Sequence, residues 1–195
     1  MLRYCIFFFF SFIQLFSQNQ YSEGGNRDGL WKGYYDNGQL RYEGVFNDGK
    51  ETGIFKYYYK SGNLEKELLY IEDGVHAKVR FYYSNKNIKT LGEYCLKNRC
   101  AKWEYFDDFG NIIMIENYKD GFLDGPCFIY FGGILSDMYN YEDGKKNGIS
   151  KSFFPTGEVK VIKNYFNDQL HGKYELFSQE GKLIEKLNYI HGFLD

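Results

Sequence analysis

Proline is nearly missing. Pro126 and Pro155 are the only two in 195 residues, no proline-rich or serine-rich linker divides the chain, and both prolines suit sheet edges or turns. Histidine is as scarce: His76, His171 and His191 fall in or beside turn sequences, and a metal site would need two of them, or one and a carboxylate, to converge. There is no basic block. Lysines alternate with acids around a formal net charge of −2, which leaves the aromatics without the cationic track that supplies most nucleic-acid affinity and argues for no nucleic-acid partner. Leucine, isoleucine and valine are fewer than a large two-layer core demands, and past the N-terminus no apolar run is long enough to span a bilayer. Ser150 and Ser152 have no patterned histidine and acid around them, and Gly132-Gly133 opens no helix that could cradle a phosphate. With no catalytic, cofactor or metal residues to assign, the sequence reads as that of a binding protein rather than an enzyme.

What the chain has in abundance is aromatic side chains, 21% of its residues, and glycine. They recur as one sentence seven times, each copy starting 23 to 25 residues after the last. The first copy is Gly29, Trp31, Tyr34, Gly38, Leu40, Glu43, Phe46 and Gly49; Gly53 opens the second. Two positions are aromatic in every unit. One column is Tyr34, Tyr58, Tyr83, Phe106, Tyr130, Phe153 and Phe177; the other is Phe46, Tyr70, Tyr94, Tyr118, Tyr141, Tyr165 and Tyr189, with Trp31 and Trp103 as further rings. Glycines mark the turns at Gly38, Gly62, Gly110, Gly157 and Gly181, and again at Gly49, Gly74, Gly121, Gly144 and Gly192.

Each half-unit is too short for a helix, whereas aromatic and β-branched residues between glycine-bearing turns spell strands. One unit is therefore one β-hairpin, with Trp31 to Tyr35 as first strand, Asp36-Asn37-Gly38 as turn and Leu40 to Phe46 as second strand. A lone hairpin buries too little, but stacked copies give each other a paired edge and an apolar seam. The expected fold is all-β: an elongated, single-sheet antiparallel meander over residues 29–195, after a lead-in at 18–28. Tyrosine, at 20 residues, replaces aliphatic core, so one face is expected to stay substantially exposed. Units three and five are the irregular ones, Asn87 standing for the turn glycine in the third and Gly132-Gly133 displaced ahead of Ile134 in the fifth. Glu43, Glu67, Glu116 and Glu185 recur at similar positions and read as a solvated row, or as partners for turn backbone and lysines, rather than as an acid and base pair.

Residues 1–17 set Arg3 before an apolar run from Ile6 to Phe16, long enough for a signal peptide and short for a membrane span, which predicts a secreted, periplasmic or envelope-associated protein. Cys95, Cys100 and Cys127 would remain, an odd number. Cys95 and Cys100 flank the turn containing Asn98 and could bridge across it; reduced, half-buried thiols are the plainer expectation, because three cysteines make a poor disulfide scaffold.

Stretches such as Gly29-Leu-Trp-Lys-Gly-Tyr-Tyr-Asp-Asn-Gly-Gln-Leu-Arg-Tyr-Glu-Gly-Val-Phe-Asn-Asp-Gly-Lys and Gly172-Lys-Tyr-Glu-Leu-Phe-Ser-Gln-Glu-Gly-Lys-Leu resemble MORN repeats, and more closely the bacterial MORN variant. The resemblance covers about residues 25–195 and is strong in units one, two, four, six and seven. It implies no catalytic residues. Members of the variant family are often described as antitoxin-like components of toxin-antitoxin systems, and MORN repeats elsewhere are associated with protein scaffolding, membrane attachment and phospholipid contact. The expected function is protein binding or scaffolding through an aromatic-polar face; the alternatives are peripheral phospholipid binding, glycan binding or an antitoxin-like role. The seventh hairpin leaves an edge that could pair in a homodimer.

Overall fold

The computed structural model describes residues 18–195, so the segment read as a signal peptide lies outside the described residues. A short β1 (Gln20–Tyr21) pairs with β2 (Arg27–Tyr34), and the chain then runs back and forth through β3 (Leu40–Asn47), β4 (Lys50–Tyr58), β5 (Leu64–Glu72), β6 (His76–Tyr82), β7 (Ile88–Cys95), β8 (Asn98–Phe106) and β9 (Ile112–Lys119). It continues as β10 (Phe122–Leu123), β11 (Gly125–Phe131), β12 (Ile134–Glu142), β13 (Lys145–Lys146), β14 (Gly148–Phe153), β15 (Val159–Phe166), β16 (Gln169–Phe177), β17 (Leu183–Ile190) and β18 (Phe193–Leu194). Every pairing is antiparallel and joins strands that are consecutive or, for β9 with β11 and β12 with β14, separated only by a two-residue strand, giving one open, elongated meander of seven hairpins, as the repeats predict.

Two irregularities recur, and both follow from the sequence period. Just before the first turn each hairpin slips by one residue, between Gly33 and Tyr34 in the first and between Leu176 and Phe177 in the last. Between hairpins the incoming strand bulges at its opening residue, where Gly53 and Gly172 take φ of 64° and 91° and pairing resumes two residues out of step. Ala101 holds that place in unit four at φ 57°, a conformation that favours glycine. In unit three Ala77 pairs directly with Tyr70, so this one boundary lacks the bulge and the irregularity moves to the longer loop ahead of it.

The irregular third unit sits one residue earlier than its spacing suggests. Tyr82, not Tyr83, pairs with Ile88 as Tyr34 pairs with Leu40. Lys86, not Asn87, replaces the turn glycine: it adopts φ 73° and its amide closes on the Tyr83 carbonyl as Gly38 closes on Tyr35. Tyr83 belongs to a different series, in which the Tyr35, Tyr59 and Tyr83 hydroxyls each donate to a backbone carbonyl one unit on, at Tyr58, Tyr82 and Phe106. In the fifth unit Gly132 and Gly133, at φ 57° and 80°, form a two-residue turn between the paired Phe131 and Ile134.

Strand alternation puts the two aromatic columns on opposite faces. The Phe46 column interleaves with the residue two after each unit's opening, giving a chain of edge-to-face contacts: Trp31 to Phe46 to Phe55 to Tyr70, and Tyr94 to Trp103 to Tyr118. This ring face is the core. Trp31, Phe55, Val79, Trp103, Cys127 and Ser150 fill successive slots and are all buried. Glycines make the seats for the largest rings: a Cβ on Gly44 would overlap Phe55, and one on Gly92 would lie within 2.7 Å of three atoms of the Trp103 indole.

Candidate binding site

Cations roof the ring face. Arg27 lies 4.7 Å from the Trp31 ring centre, Arg99 4.5 Å from that of Trp103, and Lys146 4.0 Å from that of Tyr139. Arg99 also donates to the Tyr105 and Tyr118 hydroxyls, and both of those donate to Glu116, at 2.6 and 2.9 Å. Burial, reinforced by Glu116, pushes the Tyr105 hydroxyl well above the usual tyrosine range. A trough of about 390 Å³ opens on this face beside the first two hairpins, with Tyr35, Tyr42 and Tyr57 alongside Arg41, Glu51 and Glu65.

On the opposite face the tyrosines are tied down as well. Tyr58 and Tyr82 donate to Glu43 and Glu67 at 2.7 Å, and Lys32 lies 3.5 Å from Glu43. Of the two roles expected for these glutamates, the solvated row does not form, whereas Glu43 is a lysine partner, to Lys32. Only Glu43 and Glu67 share a register; they are half-buried acceptors, while Glu116 and Glu185 fall on the ring face because each is offset by one residue from that register. A tyrosine row free for recognition does not form either: in both columns Tyr34 is the only exposed ring, the others being buried or half-buried.

The two most exposed rings are phenylalanines at hairpin tips. Phe131 is 86% exposed and Phe109 83%, with Phe122 and Phe193 on the opposite edge. Phe131, Ile134, Leu135, Phe153, Phe154 and Pro155 line a groove of about 410 Å³ between the tips of the fifth and sixth hairpins; Ser136 is its one polar side chain. The groove exists because the tight Gly132-Gly133 turn leaves Phe131 and Ile134 projecting beside the longer sixth turn. Displaced glycines in unit five were the sequence signal for it.

Cysteine and histidine arrange differently from the sequence expectation. Cys95 and Cys100 form a disulfide with a Cα separation of 5.8 Å, closing the turn whose central residues are Leu96 and Lys97, with Asn98 already in β8. Those two residues take φ of 50° and 70° where units one, two, four and five have Asp-Gly, so the bridge staples one of the two turns that lack the glycine, Asn167-Asp168 being the other. Cys127 is free and buried, and burial lifts its thiol to about 11, with Glu116 adding to the shift and Lys146 opposing it. His171 and His191 stack at 5.0 Å beside Phe166, and His76 touches Glu93 at 2.7 Å.

A family model described as "MORN repeat variant" matches residues 27–48, 51–72, 99–120, 146–167 and 170–191, more than half the chain and the five units whose sequences are regular. No curated protein matches the chain. Among solved structures, the crystal structure of accessory secretory protein 1,2 and 3 in Streptococcus pneumoniae is 17% identical with a TM-score of 0.22, over 57% of this chain and 19% of that one. The GtfA/B complex bound to UDP and GlcNAc is 13% identical with a TM-score of 0.23, over 73% and 24%. The chain thus spans about a quarter or less of these two solved chains.

Proposed function

The chain belongs to the MORN repeat variant family, and from that premise we propose that this repeat-built, non-catalytic β-sheet module binds a protein through the phenylalanine groove between its fifth and sixth hairpin tips. The observation that carries the reading is the exposure of Phe131 beside Ile134 and Phe154 in a groove lined by no lysine, arginine, carboxylate or amide side chain. A lipid-headgroup surface needs a cluster of bordering cations, more than Lys160 at 5.8 Å from the Phe154 ring supplies, and a glycan site needs polar groups beside its rings, whereas an apolar anchor from a protein needs neither. Export to the envelope or beyond is part of the proposal. The Cys95–Cys100 disulfide supports it, since such bonds persist in oxidising compartments.

Photo-crosslinking from position 131, followed by mass spectrometry, identifies the partner. The double variant F131S/F154S should then lose at least tenfold in affinity for that partner, and unchanged capture would remove the groove from the account. Flotation with anionic vesicles tests the lipid alternative. A glycan reading is favoured at one place only, the Tyr35, Tyr42 and Tyr57 trough with its acids and Arg41, and a glycan array compared with Tyr57→Ala decides it.

A further inference from the structure

Three metal-binding side chains meet at one corner of the sheet. His76 and Cys95 are register partners on β6 and β7, and Cys100 on β8 stands opposite Glu93. Alternation places all four on the face opposite the core. A ring nitrogen of His76 and the two sulfurs lie within 4.8 Å of one another, all on half-buried residues that an ion can reach from solvent. Glu93 holds the imidazole at 2.7 Å from Nε2, the carboxylate–histidine arrangement that orients metal-ligating rings. Among the described residues no other such group of three donors gathers.

We propose that opening the Cys95–Cys100 bond turns this corner into a zinc site of two thiolates and one imidazole, and that the disulfide and metal-bound forms exclude each other. Two thiolates with an imidazole form a donor set suited to Zn²⁺, which takes sulfur at about 2.3 Å and nitrogen at about 2.0 Å in tetrahedral geometry. That geometry sets the two sulfurs about 3.7 Å apart, a separation that side-chain rotation provides while the paired β7 and β8 backbones stay in place. Water completes the fourth position. The exchange balances: a dithiol reductant attacks the disulfide, leaves as its own cyclic disulfide and returns two thiols to the protein. Zn²⁺ binding then releases the two thiol protons to solvent. In an oxidising compartment the bridge holds the turn; where dithiols are available the metal does.

The test is Zn²⁺ affinity of the full chain by competition with a chromophoric chelator, under a phosphine reductant and again after oxidation. Reduced protein should bind one ion through this site at least 1000-fold more tightly than oxidised protein. Co²⁺ loading should give the ultraviolet thiolate band and the strong visible bands of a tetrahedral site. Glu93→Gln, which removes the carboxylate that orients His76, should weaken Zn²⁺ binding about 10–100-fold, His76→Ala should weaken it further, and C95S should weaken binding and cut the thiolate band to that of one sulfur at most. Circular dichroism checks that each variant is folded, and C127A should bind as the wild type does. Reduced and oxidised affinities within tenfold, a Co²⁺ spectrum with no thiolate band, or loss in C127A instead of C95S would each overturn the proposal.

Discussion

Adding one methyl group at Gly92 should unseat Trp103, which with Phe55 is one of the two best-buried rings among the described residues. A Cβ there would lie within 2.7 Å of three indole atoms of Trp103, against an ordinary carbon contact of about 3.5–4.0 Å. The indole would have to retreat by about an ångström, yet it is 1% exposed, wedged between Tyr94 at 5.2 Å and Tyr118 at 6.2 Å and roofed by Arg99. If the ring stays and the strands strain, overpacking costs about 1–3 kcal/mol. If it is expelled, some 150–250 Å² returns to water at about 25 cal/mol per Å², or about 4–6 kcal/mol. Gly92→Ala should therefore destabilise the chain by about 3 kcal/mol or more in urea unfolding, with tryptophan emission moving to the red. Gly38→Ala is the control. Its Cβ meets nothing within 4 Å, so only the φ of 80° opposes it, at about 1–2 kcal/mol. A Gly92→Ala protein within 0.5 kcal/mol of wild type, with unchanged emission, would refute the seating of Trp103 on β7.

Lys86→Gly and Ala101→Gly, at φ of 73° and 57°, should each stabilise by about 1 kcal/mol, read as a higher urea midpoint. Ser150→Ala should be neutral or stabilising by up to about 1 kcal/mol, since the buried Ser150 hydroxyl has no partner; a loss above 1 kcal/mol would show that the hydroxyl is bonded. Burial and Glu43 raise Tyr58 from the ordinary tyrosine value of 10.0 to about 12, and burial also raises Tyr70 and Tyr105. Unfolded tyrosines ionise first, so the stability these groups hold below pH 10 is lost as pH rises toward 12. The tyrosinate absorbance of these buried groups should consequently appear together with unfolding, not before it. With its thiol lifted to about 11, Cys127 should react with a disulfide reagent at pH 8 only as fast as the protein opens.

Hairpins, turns and the meander were legible because the period and the turn glycines are local signals: Gly38, Gly49, Gly62 and Gly74 all take the positive φ that the sequence implies. Which column forms the core was not, since Tyr34 and Phe46 are both aromatic and only strand parity separates their faces. The third unit shows the limit of spacing. Adjacent Tyr82 and Tyr83 let a ring-based alignment slip by one residue, and a lysine forced into a left-handed turn looks like no turn residue at all. Gly44 and Gly92 carry no turn signal, because their role is to leave room for a ring on the neighbouring strand. The disulfide depended on a close approach that cysteine counting does not contain.

The interleaving of rings across hairpin boundaries is the claim on which the core, the exposed tips and the metal corner all stand. Nuclear Overhauser contacts from the Trp103 indole in the fourth hairpin test it directly. The account predicts cross-peaks to the rings of both Tyr118, in the same hairpin, and Tyr94, in the one before. Cross-peaks to Tyr118 alone would mean that the hairpins do not share one packed face.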